Sequence, residues 1–244
     1  FRSDTRSRFS KNYAEGALFA LRNENLNAAV VGGVPKVLSI SSRFKQKLCA
    51  KIMGRSYLYF FPKHRNINYS GYSSSIYLGC FRTSILKDIK FNEKEDILSE
   101  DSLIISDFLE RGFNAYISSS IKVAYVCRAS FFNILKLFHA YGYCRANTIF
   151  VSKKIFISKR HFYVFVFLTI SSLILMNFAL KGLIALPIML LIFNLISEII
   201  FYGKVNNLYV PICGTLCQFS WILGFLWRIV TIFKSNISNS NFIS

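Results

Sequence analysis

Residues 162–180 read FYVFVFLTISSLILMNFAL, residues 183–202 read LIALPIMLLIFNLISEIIFY, and residues 208–233 read LYVPICGTLCQFSWILGFLWRIVTIF. At 1.5 Å per residue, a helix of about 20 residues crosses the roughly 30 Å hydrocarbon core of a bilayer. The first two runs just meet that length and the third exceeds it. They predict three transmembrane helices, because a chain this small offers little protein in which to bury them. Only Lys181-Gly182 separates the first two runs, which predicts a tight hairpin or a re-entrant pair. Lys153, Lys154, Lys159, Arg160 and His161 precede the first run and place the part before it on the cytoplasmic side. Glu198, near the end of the second run, is expected close to the headgroups.

Working outward, the whole chain has 244 residues, of which 53% are hydrophobic and only 17% charged. An ordinary soluble domain carries about 25% charged residues, and a disordered or collagen-like chain has a different composition altogether. Lys and Arg number 30 against 12 Asp and Glu, a net charge of +18. Four of the basic residues and one acid lie beyond residue 162. The reading is therefore a basic aqueous domain over 1–150, a basic juxtamembrane segment over 151–161 and a membrane domain over 162–244. The start, FRSDTRSRFSKNY, is polar and basic and is no secretory signal. The six cysteines form no C-x-x-C pair, so reduced thiols are expected and zinc has no support.

Within 1–150, strand and helix patterns alternate, which predicts an α/β or mixed sheet. Helices are expected over 10–22, 41–53, 99–111 and 130–150. Strands are expected over 27–34, ending at Gly32-Gly33, and over 76–81, 114–117 and 121–126. Residues 56–75, rich in Tyr, Ser, Gly and Asn, are expected to form a long loop. In the helix over 99–111, Leu103, Ile104 and Phe108 make the apolar stripe, and Gly112 is placed to end it.

Three places could carry chemistry. Glu100 and Asp101 open a helix, whose positive end keeps a carboxylate ionised, as a general base requires. The same pair could equally be an ordinary complement to that helix end. Asp4, between Arg2 and Arg6, is either a loop residue or a ligand for Mg²⁺ or Mn²⁺ beside phosphates. Arg145, closing His139-Ala140-Tyr141-Gly142-Tyr143-Cys144-Arg145, is either a membrane-proximal arginine or a phosphate binder.

The order of these motifs resembles the family 2 glycosyltransferases, in particular their membrane-anchored exopolysaccharide (succinoglycan-type) branch. Arg2-x-Asp4 followed by Tyr13 is similar to that branch's R-x-D segment, and Val31-Gly32-Gly33 to its V-G-G strand end. Tyr77-Leu78-Gly79-Cys80-Phe81-Arg82 is similar to its G-x-(F/Y)-R-R segment. Glu100-Asp101 with Leu109-x-Arg111-Gly112 is similar to its E-D helix, and Arg128-x-Ser130 with Tyr141-Gly142-x-x-Arg145 to its R-x-S…Y-G-x-x-R. Arg2 stands where the general D-x-D pair has its first acid, and Leu103 where a further acid is usual.

The resemblance implies the C-terminal part of a nucleotide-diphospho-sugar transferase (GT-A-type) mixed sheet followed by three transmembrane helices. The nucleotide-binding half that precedes the Asp4 segment in the family would be missing, so the resemblance does not imply activity of this chain alone. It implies an inverting transferase that moves a sugar from a nucleotide-sugar to a polyprenyl-diphosphate-linked or growing glycan acceptor. The setting would be the bacterial inner (plasma) membrane, with the catalytic domain cytoplasmic. Asp101 would be the base and Glu100 its positioning partner. Asp4 would hold Mg²⁺ or Mn²⁺, and Arg82, Gly79 and Arg145 would meet substrate. Anionic lipids would attract the basic domain. Two other readings use the same charge and spans: a non-enzymatic membrane scaffold of a polysaccharide assembly system, and a membrane-tethered nucleic-acid binder. Nothing in the sequence matches a nucleic-acid motif, so nucleic acid is not among the expected partners.

Overall fold

The structure, a computed structural model, describes residues 1–89, 100–150, 179–203, 205 and 207–240. Its centre is strand β2 (Ala28–Leu38), in which Ala28 to Val34 are all buried. Strand β5 (Asn114–Val126) runs parallel to it, from Ala28 opposite Asn114 to Leu38 opposite Val126. Strand β4 (Tyr77–Phe81) pairs antiparallel with the other edge of β2. The outer edge of β5 takes two short antiparallel strands, β3 (Gly71–Tyr72) beside Tyr116 and Ile117, and β1 (Ser7–Phe9) beside residues 123–125. The sheet order is β1-β5-β2-β4, with β3 off that path.

Two corrections to the expected strands have one cause. Gly32-Gly33 does not end β2, and residues 114–126 form one strand rather than two. Gly33 pairs with Ser118 but Val34 with Lys122, so β5 bulges between them. The bulge brings the Ile121 carbonyl against the backbone of Gly33, where a Cβ would collide with it. At Gly32 the side chain of Ile76 closes in equally tightly. The glycines admit neighbouring strands rather than punctuate the chain.

Helices cover both faces. Helix α1 (Tyr13–Arg22) buries Tyr13, Ala17 and Leu21, spaced four apart, against Val31, Leu78, Ile121 and Val123. Gly16 on α1 has room for a methyl group, which would meet Ile121 Cγ1 at 3.5 Å. Gly16→Ala should therefore stabilise the fold by about 0.5–1 kcal/mol through helix propensity, read as a rise in thermal midpoint. Across the sheet, α4 (Glu100–Glu110) packs Ile104, Ile105 and Phe108 on Val30, Val34, Ala115 and Ile117. It stops where the sequence predicts. Gly112 has φ +81°, the Phe113 N–H reaches the Phe108 carbonyl at 2.9 Å, and the Gly112 N–H reaches that of Leu109 at 3.1 Å.

The remaining helices build a second core. They are α2 (Phe44–Gly54), α5 (Phe131–Phe150), α6 (Ala179–Tyr202) and α7 (Tyr209–Ser240). The short α3 (Thr83–Leu86) follows β4. Cys49, Ile52 and Met53 of α2, Ile134 and Phe138 of α5, and Val210 and Cys217 of α7 close around Tyr57 and Leu58 at the C-terminal end of β5. None of the six cysteines is in a disulfide. Residues 56–75 are not a plain loop, since they hold β3 and 3-10 turns at Ser56–Tyr59 and Lys63–Arg65.

The expectation of three transmembrane helices after the sheet is overturned. Among the described residues one helix segment, Tyr209–Lys234 of α7, is long and apolar enough to cross a membrane. The run 162–180 lies outside the described residues apart from its last two positions. Lys181-Gly182 is no hairpin, because both residues lie inside the first turns of α6. The apolar part of α6, Leu186–Tyr202, is a shorter helix. Its Glu198 is 2% exposed and bound by Arg55 and Tyr57 of the sheet domain rather than by headgroups. Counting apolar residues identified a second span where the chain makes a helix docked on the domain.

Candidate functional site

Asp4 sits in the exposed turn before β1. Its Oδ1 accepts the Arg6 N–H at 3.0 Å and the Thr5 hydroxyl at 3.4 Å. The segment is anchored on both sides: the Arg2 N–H donates to the Gly79 carbonyl at 2.9 Å, and the Val126 N–H donates to the Arg6 carbonyl at 2.8 Å. Asp4 is thus held between β4 and the end of β5, beside Tyr77 and Tyr125, whose rings meet edge-on at 5.8 Å. Ser7 Oγ shares a 2.8 Å hydrogen bond with the Tyr77 hydroxyl.

The electrostatics show what converges there. Burial pushes the Tyr77 phenol up, the Ser7 hydrogen bond opposes this, and the Asp4 carboxylate adds to it. Burial likewise raises Tyr125, while the guanidiniums of Arg128 and Arg6 pull it down and Asp4 pushes it up. One carboxylate, Asp4, and three guanidiniums, those of Arg6, Arg65 and Arg128, therefore lie in the neighbourhood of this phenol. Arg65 lies just behind, its guanidinium 3.6 Å over the Tyr59 ring and one N–H donated to the Met53 carbonyl at 2.9 Å. Burial raises the Tyr59 phenol too, and Arg65 lowers it. The Nε atoms of Arg65 and Arg128 and the Tyr59 hydroxyl are buried with no hydrogen-bond partner among the described residues. Buried donors left without acceptors are costly.

The other expected residues divide. Gly79 is buried, and a Cβ there would meet Val30 Cγ2 at 2.6 Å, so it is a close-packing position under the Arg2 segment. Arg82 turns into the fold, donating to the carbonyls of Leu21 at 2.8 Å and Ala28 at 3.4 Å. It ties the end of α1 to the start of β2. Glu100 and Asp101 open α4, the end whose unpaired N–H groups favour negative charge. Arg145 is half-buried on α5, one turn beyond Tyr141. The Tyr141 ring meets that of Phe138 with centres 6.2 Å apart.

A divalent cation needs several hard oxygen ligands. Among the described residues no group of three His, Cys, Asp or Glu stands together, so Asp4 by itself does not make a protein-built cation site. The sequence reading named Asp4 but not Tyr77, Tyr125, Arg6, Arg65 or Arg128 as site residues. Tyr77 and Arg128 stood inside the quoted motifs, which was the available signal. Comparison with known protein families and with curated proteins finds no match to this chain.

Proposed function

We propose that the chain is an inverting glycosyltransferase that works at a bacterial plasma membrane. The observation that carries this is the Asp4–Arg6 turn, closed by the Arg6 N–H on the Asp4 carboxylate and tied by the Val126 N–H to the end of β5, two residues before Arg128. A nucleotide-sugar presents a diphosphate leaving group, and guanidiniums bind such oxygens in pairs. The order of motifs from Arg2 to Arg145 supports the same reading.

In this reaction an acceptor hydroxyl attacks the anomeric carbon from the face opposite the diphosphate. The new bond joins acceptor oxygen to that carbon, and the bond to the diphosphate oxygen breaks. Asp101 takes the hydroxyl proton, and one such base suffices for a single displacement. Glu100 positions it. Arg6 and Arg128 hold the diphosphate as charge grows on it, with Arg145 on the membrane side. Bound Mg²⁺ or Mn²⁺, with Asp4 as a ligand, would supply further neutralisation of that charge, and no step here depends on it. The acceptor is a polyprenyl-diphosphate-linked or growing glycan.

Membrane contact rests on α6 and α7. On α7 only 22% of the most apolar window is buried, and Ile212, Leu216, Leu223, Trp227 and Val230 are exposed. On α6 the exposed row is Ile188, Ile192, Ile196 and Ile199. Exposed apolar area on this scale marks a membrane or protein contact. The net charge of +18 favours an anionic leaflet.

The test is transfer of label from a panel of nucleotide-sugars into solvent-extractable lipid by membranes carrying the protein. Label should appear with the unaltered chain and fall to background with Asp101→Asn, while flotation with the membrane is unchanged. Turnover retained in Asp101→Asn would end the assignment of the base.

A further inference from the structure

A cleft of about 520 Å³ lies between β2, the 3-10 turns and the last turn of α6, and Arg65 is common to it and to the surroundings of Tyr125. Its lining divides by chemistry. Lys36, Lys63 and Arg65 contribute positive charge, and Phe61, Phe201 and Tyr202 contribute aromatic surface. Among the described residues none of its lining is acidic.

The cationic wall is held in place. Lys63 Nζ donates to the Tyr72 carbonyl at 3.2 Å and lies 5.3 Å from the centre of the Tyr69 ring. Arg65 is fixed by its stack on Tyr59 and its bond to Met53, yet its buried Nε has no partner among the described residues. Lys36 is exposed at the mouth.

The aromatic wall carries strain. Phe60 and Phe61 have φ of 55° and 51°, a left-handed conformation that bulky residues rarely adopt. Two such residues in succession cost free energy, and strain of this kind clusters at ligand clamps. What it achieves here is visible, since it lays Phe61 against Phe201 with ring centres 4.8 Å apart. Phe201 is 55% exposed and continues the row of Ile196, Ile199 and Ile200 along α6. Cationic surface at one end and apolar surface running out of the other match an amphiphile with an anionic head.

We propose that this cleft binds a phosphate-bearing lipid, its phosphate between Lys36, Lys63 and Arg65 and its chain along Phe61, Phe201 and the isoleucine row of α6. The inference rests on the bilayer contact of α6 and α7 proposed above and is independent of sugar transfer.

The experiment is flotation of the full chain with phosphatidylcholine vesicles, with and without phosphatidic acid. The chain should float with both and bind the doped vesicles more tightly. Lys36→Gln/Lys63→Gln should reduce that gain about 30-fold, whereas Lys11→Gln/Lys87→Gln, which removes the same charge from exposed positions outside the cleft, should leave it within about threefold. Lys36→Arg/Lys63→Arg should keep the gain, and Phe201→Ser should lower binding to the doped vesicles. Glycerol phosphate should not displace the protein from doped vesicles. Equal losses from the two glutamine pairs would reduce the effect to diffuse attraction and overturn the site. Displacement by glycerol phosphate would make it a site for soluble phosphates and overturn the lipid. Flotation without preference for phosphatidic acid would sink the cleft alone, and failure to float on either vesicle would sink the bilayer contact with it.

Discussion

Gly142→Ala should cost the fold about 2 kcal/mol, although alanine is the better helix former. Helices α5 and α7 cross at a pair of glycines. A Cβ on Gly142 would collide with the Trp221 carbonyl oxygen and lie 2.9 Å from the Phe225 nitrogen. A Cβ on Gly224 would collide with the His139 carbonyl oxygen. Every obstacle is backbone, so no side chain can turn aside. Replacing a helical glycine by alanine gains about 1 kcal/mol from propensity, while overpacking a tight contact costs about 1–3 kcal/mol and sometimes more. Here the helices must separate, and separation strains bonds on either side of the crossing. Ser220 Oγ donates to the Leu135 carbonyl at 2.9 Å, and Arg228 donates to Asn147 Oδ1 at 2.6 and 3.0 Å and to the Tyr143 hydroxyl at 2.8 Å. Thermal unfolding in neutral detergent should show a large fall in midpoint for Gly142→Ala and for Gly224→Ala. Gly16→Ala, made where a methyl group has room, supplies the opposite sign. If Gly142→Ala melted at or above the parent, the crossing would not be as close as described.

That crossing also shows where the sequence stops being legible. Tyr141-Gly142-x-x-Arg145 was noticed as a possible phosphate motif, and nothing local says that its glycine admits a second helix. Local patterns were enough for α4, because its apolar stripe and terminal glycine are set within twelve residues. They were enough for the existence of β2, but not for its length. Gly32-Gly33 carries the same letters whether it ends a strand or lets Ile76 and Ile121 approach, and only the tertiary partners decide. Ser119 to Ile121, between the paired Ser118 and Lys122, form the bulge within β5. Strand β1 has three residues, too few for an alternating pattern to show. At the site, Asp4 was visible as an acid among arginines. The phenol it faces on β5 lies more than a hundred residues away, and Arg65 and Tyr59 come from a segment that composition described only as a loop. The membrane part failed for a related reason. Hydropathy counts what leaves water but does not see which polar residue within a run has a partner elsewhere in the chain.

Glu198→Ala should therefore cost about 3–5 kcal/mol, the usual consequence of removing one member of a buried ion pair. Glu198 is 2% exposed on α6. Its Oε1 accepts from Arg55 Nε at 2.7 Å and from the Tyr57 hydroxyl at 2.7 Å, and its Oε2 accepts from Arg55 Nη2 at 3.1 Å. The Arg55 guanidinium lies 3.7 Å over the Tyr202 ring, one turn further along the same helix. Removing the carboxylate leaves a guanidinium and a phenol without their acceptor in a place with little water. The coulombic gain of such a pair only roughly repays its desolvation, so the pair adds little net stability, yet its half-removal is expensive. This distinction separates two variants. Glu198→Ala should lower the unfolding midpoint strongly, while Arg55→Met/Glu198→Leu should recover most of the loss, because no charge is then stranded. The pair's contribution is then specificity: one carboxylate in an apolar run, matched to one arginine far earlier in the chain, fixes which face of α6 meets the sheet domain. Limited proteolysis around residues 203–208 would check that role. The double variant should regain its midpoint but be cut faster there, since apolar packing alone does not fix the rotation of the helix. A double variant as resistant as the parent would show that packing of Phe60 on Phe193 and Phe61 on Phe201 already sets the docking without the charges.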